Sequence, residues 1–164
     1  FTLRRAADAL TQTRTRVRIR RALVDSARVR RENQTPAREN LANAYVSLGW
    51  YELFTGAADS ALVHSRLVLT LDSTETYAIP NHANALLLLD RGDELEAIFA
   101  RYGRATVELP RVPFVCAVVR DLERQLIPRG AARPEHLARA EDLARRHSTV
   151  PLTECPHRKQ RPTP

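Results

Sequence analysis

Apolar side chains recur at intervals of three and four along nearly the whole chain, and no alternation of useful strand length interrupts them, so the pattern predicts an all-α protein. Leu3, Ala6, Ala7 and Leu10 form a first short stripe, and residues 11–15, TQTRT, read as a break after it. A second helix is expected over 15–33, with Ile19, Leu23, Ser26, Ala27 and Arg30 at helical spacing. Thr35-Pro36 stops it, because a residue before proline is pushed out of the helical region.

The stretch LANAYVSLGWYELFTG, 41–56, carries apolar residues on two faces. Leu41, Ala44, Tyr45, Leu48 and Tyr51 share one, and Val46, Trp50, Leu53 and Phe54 share a neighbouring one. A surface helix needs a single stripe, so two faces mean two packing partners. Gly56 suits the left-handed residue that ends a helix. A fourth helix follows over 58–71, ended by LDST at 71–74, and a fifth over 77–91 with Pro80 in its first turn. Gly92 punctuates again, and a sixth helix over 93–102 puts Leu95, Ile98, Phe99 and Tyr102 on one face. Beyond Pro110 and Pro113, Val115, Val118, Val119, Leu122 and Leu126 mark a seventh. Residues 128–134 are a loop, and Pro134 starts a last helix through about His147. From residue 148 the prolines and the scarcity of apolar residues predict a disordered or loosely draped tail.

At 164 residues, one main domain with its own core is expected. Its longest apolar run, FVCAVV at 114–119, falls far short of the roughly 20 residues a membrane span requires. The reading is therefore a soluble, cytoplasmic protein without a membrane partner. The absence of methionine suggests a piece of something larger. Two cysteines, one in an apolar helical pattern and one in the tail, do not make a disulfide framework, and a reducing interior is expected.

Charge is unevenly placed. Eleven arginines against three acids give +8 over 1–38, nine acids against two arginines give −7 over 39–100, and 101–164 carries +6. Nearly every base is arginine, a bias that a GC-rich genome also produces.

A helix, a glycine turn and a second helix within about 34 residues form a unit worth seeking again. Tyr45, Leu48-Gly49, Gly56, Ala61 and Leu69-x-Leu71-Asp72 stand at the spacings of the tetratricopeptide repeat, and the chain resembles that family over 42–75. A looser second copy over 76–103 matches at Asn81, Ala83, Ala85-Leu86-Leu87, Gly92, Ala97 and Tyr102. The match departs from the family at Ser73, where a proline is usual, and at Glu52, where an aromatic residue is usual. The resemblance implies a short right-handed α-solenoid of antiparallel helical hairpins with C-terminal capping helices. The expected layout is a helical domain over 1–147, with arginine-rich helices over 1–38, a repeat core over 39–103, a cap over 112–147, and a flexible tail over 148–164.

The same resemblance implies a protein-interaction module that binds a peptide or partner domain in a concave groove. Asn43, Ser47 and Trp50 from one unit, and Tyr77, Asn81 and Asn84 from the next, are the groove residues carried over. An acidic middle favours a neutral or basic peptide. The module then belongs to a larger bacterial protein and serves as a scaffold, or as the regulatory repeat segment of an enzyme such as a caspase-like protease. Nucleic acid is the alternative partner, through RTRVRIRR at 14–21, where Arg14, Arg18 and Arg21 share a helical face.

Catalytic signatures are missing: no phosphate-cradling glycine loop, no G-x-S-x-G elbow and no H-E-x-x-H pair occur, so no enzyme activity and no cofactor are expected. His64, His82, His136, His147 and His157 show no metal-ligand spacing, and Cys155 with His157 is read as accidental. Cys116 reads as a buried structural cysteine, and the acidic pairs Glu94/Glu96 and Glu141/Asp142 as solvated helix charge.

Overall fold

A computed structural model describes residues 3–30, 34–71, 76–107 and 111–159. Helix dominates it, as the periodicity requires, and the chain divides into two compact units, Phe1–His82 and Ala83–Pro164. The expected breaks at residues 72–74 and at Pro110, and the tail from 160 onward, lie outside the described residues.

The first unit holds α1 (Leu3–Val29), α2 (Thr35–Phe54), α3 (Ala58–Leu71) and the start of α4 (Ala78–Leu88). The break expected at 11–15 does not occur, and one helix runs through it. Threonines there turn their hydroxyls back onto the helix: Thr11 donates to the Ala7 carbonyl (3.1 Å), Thr13 to that of Ala9 (2.7 Å) and Thr15 to that of Thr11 (3.2 Å). The polar run therefore satisfies itself within helical geometry.

Both apolar faces of α2 are used. It packs against α1 on one side and α3 on the other, so its second partner is the preceding helix. Leu10, Leu41, Ala42, Tyr45, Leu48, Val68 and Ala78 form the buried cluster that results. Between α2 and α3, Gly56 takes the left-handed conformation at φ 76°. Gly49 lies against Ala61, and Arg38 reaches the Leu71 carbonyl (3.4 Å), so α2 and α3 run antiparallel.

The second unit contains the end of α4, then α5 (Gly92–Tyr102), α6 (Phe114–Asp121), α7 (Pro134–His147) and a short α8 (Pro156–Lys159). In the turn before α5 the left-handed residue is Asp90 (φ 53°), and Gly92 opens the helix. A minimal antiparallel ribbon, β1 (Thr106–Val107) with β2 (Val112–Pro113), pairs Val107 with Val112. α7 packs on α5 and α6. Phe99 and Phe114, both fully buried, meet edge to face at 5.1 Å.

After α6 the chain makes a π-turn (Leu122–Leu126) and a 3-10 turn (Ile127–Arg129) before Pro134 opens α7. The segment from residue 148, expected to be loose, is built in as far as 159: it forms a 3-10 turn (Leu152–Glu154) and α8, and it buries Cys155 and His157. The cysteine reading is also corrected, since Cys116 and Cys155 are joined as a disulfide across 39 residues of sequence.

Candidate functional site

The sequence-derived groove residues separate into exposed and buried sets. On α2, whose sides are taken by α1 and α3, Asn43 and Ser47 stay exposed, and Trp50 at the end of the same strip is half-buried with its ring edge-on to Phe54 at 4.8 Å. Tyr77 is exposed at 39%. The two asparagines of α4 do not line a groove. Asn81 is buried and donates its amide to the Val46 carbonyl (3.1 Å), so it ties α4 to α2. Asn84 is fully buried, and neither polar atom of its amide has a hydrogen-bond partner. Both side chains were expected to clamp a peptide, but helix packing has removed them from reach.

On the side of α2 opposite this strip lies a polar cluster that periodicity did not reveal. Glu52 is buried at 1% exposure, accepts from His64 Nδ1 at 2.7 Å and lies 4.0 Å from Arg14. Tyr45 stacks on the His64 ring with centroids 5.2 Å apart. The buried Glu52 carboxylate is thus met by a histidine across the Gly56 turn. The only available signal was an acid inside the apolar run WYELF. Nearby, Ser65 Oγ contacts His82 Nδ1 at 3.2 Å, but both are buried and the hydroxyl donates to the Leu62 carbonyl (3.0 Å).

In α1 the charge is outward. Arg14, Arg16, Arg18, Arg20, Arg21 and Arg28 are exposed, as are Ile19 at 54% and Leu23 at 47%, while Leu10, Thr13 and Ala27 are buried.

The second unit carries an ion cluster where solvated charge was expected. Arg158 donates to Glu123 Oε1 (2.7 Å) and to Glu141, and His157 Nε2 sits 2.9 Å from Glu123 Oε2. Burial alone would raise the Glu123 carboxyl, but the hydrogen bonds and charges of Arg158 and His157 outweigh it and hold the group below its usual range. His157 is pushed below its ordinary value by burial. Glu123, Glu141, Thr153 and Arg158 line a shallow depression of about 420 Å³ whose carboxylates already hold Arg158. Glu96, the other acid read as solvated, pairs with His147 (2.5 Å) and Arg146 (2.7 Å), and its carboxyl is lowered chiefly by the His147 hydrogen bond.

Among the described residues no group of three or more His, Cys, Asp or Glu could hold a metal ion, and no helix is long and apolar enough to cross a membrane. Because disulfides persist in oxidising surroundings, the Cys116–Cys155 bond removes the ground for placing the chain in a reducing interior. Family models, curated proteins and solved structures return no match to this chain.

Proposed function

We propose that the chain is a protein-binding module that holds a peptide or partner segment along the outer strip of α2, in the manner of a tetratricopeptide-like helical hairpin. The observation that carries this reading is the α2–α3 pair. Gly49 against Ala61 sets the close approach, Gly56 makes the left-handed turn, and on the outer face of α2 Asn43 and Ser47 stay exposed beside a half-buried Trp50. Asparagine offers a donor and an acceptor to a peptide backbone, and a half-buried tryptophan offers apolar area with little ordering cost. Glu39, exposed in the first turns of α2, favours a neutral or basic segment. Whether the module scaffolds an assembly or regulates an enzyme in the same polypeptide, the docking chemistry is the same.

Panning a displayed peptide library on the protein tests the reading. Peptides recovered should be neutral or basic, and should lose at least tenfold in affinity against an Asn43→Arg/Ser47→Arg variant of unchanged helicity. Recovered peptides that ignore both substitutions would overturn it.

A further inference from the structure

Near the end of α2 a buried carboxylate fixes one edge of an imidazole and leaves the other edge open. Glu52, 1% exposed, takes the Nδ1 edge of His64 at 2.7 Å, and Tyr45 stacks on the ring with centroids 5.2 Å apart. Orientation and tautomer are set together. A proton on Nδ1 is directed at the carboxylate, so the lone pair of the neutral ring lies on Nε2. Nε2 has no hydrogen-bond partner among the described residues, and the His64 side chain is 22% exposed. An imidazole nitrogen presented in this way, with a third group orienting the ring from behind, is arranged as a nucleophile.

The surroundings of that ring are basic. Arg14 lies 4.0 Å from the other Glu52 oxygen, with its side chain 59% exposed. Because α1 ends at Val29 and α2 begins at Thr35, the two helices run antiparallel. Arg18 and Arg21 are exposed on the face of α1 that carries Arg14, and they lie one and two turns from it in the direction that leads along α2 from Glu52 to Tyr45. Asp25 is the acid that closes this row.

We infer that His64 Nε2 is a phosphoryl acceptor, phosphorylated by an acyl phosphate. In the step, the Nε2 lone pair attacks phosphorus and a P–N bond forms. The P–O bond to the acyl group breaks, and the carboxylate leaves with the bonding electrons. No proton has to be removed from Nε2, because it carries none. The positive charge that develops on the ring is answered by the Glu52 carboxylate, which keeps the Nδ1 proton in place, and arginine suits the phosphoryl oxygens. Glu52 is thus a positioning residue. An acyl phosphate fits because its leaving group departs without a proton donor. A nucleoside triphosphate would need a seat, and the sequence has no phosphate-cradling glycine loop. The site lies on the side of α2 away from Asn43 and Ser47, so the inference is independent of the peptide strip.

The test is incubation of the whole chain with acetyl phosphate, followed by mass spectrometry for an acid-labile, alkali-stable phosphoryl group and fragmentation that locates it. Wild-type protein should carry the group on His64, and at least tenfold less on any other histidine. Glu52→Gln, which leaves an acceptor for Nδ1 but no charge, should slow labelling at least tenfold with circular dichroism unchanged. Ring-nitrogen NMR shifts should place the proton of the neutral His64 ring on Nδ1 in wild type and spread it over both nitrogens in Glu52→Gln. Arg14→Gln/Arg18→Gln/Arg21→Gln should slow labelling and flatten its dependence on salt, since exposed charges attract an anionic donor most strongly at low ionic strength. Asn43→Arg/Ser47→Arg should label like wild type, so failure here and failure of the peptide reading are distinguishable. A wild-type chain that takes up no acid-labile phosphoryl group, a group located on another histidine, or labelling of Glu52→Gln at the wild-type rate would each overturn the inference. Location of the group on wild-type protein decides alone if a variant fails to fold.

Discussion

A Cβ placed on Gly49 would stand 3.5 Å from the carbonyl oxygen of Ala61 and 3.9 Å from its Cα. Those are ordinary contact distances, so the α2–α3 seam has room at residue 49 for a methyl group and for little more. Ala61, fully buried on the facing helix, closes the seam from the other side.

Gly49→Ala is therefore expected to be neutral, or to stabilise by up to about 1 kcal/mol through helix propensity. Gly49→Leu and Ala61→Leu should each destabilise by about 1–3 kcal/mol through overpacking. Urea unfolding of the three variants checks the ordering, and a Gly49→Leu protein as stable as wild type would mean that the helices are not held at this approach.

His64→Ala leaves the Glu52 carboxylate, 1% exposed, with only Arg14 at 4.0 Å to answer it. A cost of about 3 kcal/mol is expected, at the lower end for a broken buried pair because the His64 side is partly open. Replacing both groups, Glu52→Leu with His64→Leu, should cost less than His64→Ala alone. A double-mutant cycle by chemical denaturation reads the difference directly.

Reduction of Cys116–Cys155, or Cys155→Ser, frees a closure spanning 39 residues and should lower the stability of the second unit by about 2–5 kcal/mol. Hydrogen exchange should show the loss first over 148–159, the segment that the bond and the Glu123 cluster hold in place. Exchange there that is unaltered by reduction would show that the ion pairs suffice.

Acid should weaken the same unit in two stages. His157 and His136 both titrate below their ordinary 6.5, chiefly because they are buried, so below about that pH the unfolded chain binds more protons and stability falls. Glu123 lies below its ordinary 4.5, and its contribution is present above that value and lost as pH falls through the lowered one. The melting temperature of the oxidised protein should decline in the first stage less steeply in His157→Gln than in wild type; parallel curves would remove His157 from the account.

The all-helical class, the two-sided helix at 41–54 and the Gly56 turn were legible because each follows from local spacing or from one backbone angle. Thr11 to Thr15 misled because polar side chains that bond their own helix read like a break. Asn81 and Asn84 misled in the opposite sense: the Asn81 amide that suits a peptide backbone also suits the buried Val46 carbonyl, and Asn84 is buried with no partner, an outcome that only packing decides. Neither the Cys116–Cys155 bond nor the pairing of Glu123 with residues 157 and 158 leaves a local trace. Their partners are 39 and about 35 residues apart and are brought together by α6 and the turn that follows it. The arginines of α1 were visible as charge, but which side of the helix is covered required knowing where α2 packs.

Trp50 is the only tryptophan in the chain and closes the outer strip of α2. Its fluorescence during titration with a peptide recovered by panning tests the central claim most directly. The account predicts a saturable change in Trp50 emission whose midpoint matches the measured affinity and which disappears in Ser47→Arg. Saturating binding that leaves Trp50 emission unchanged would contradict it and place the docking surface elsewhere on the molecule.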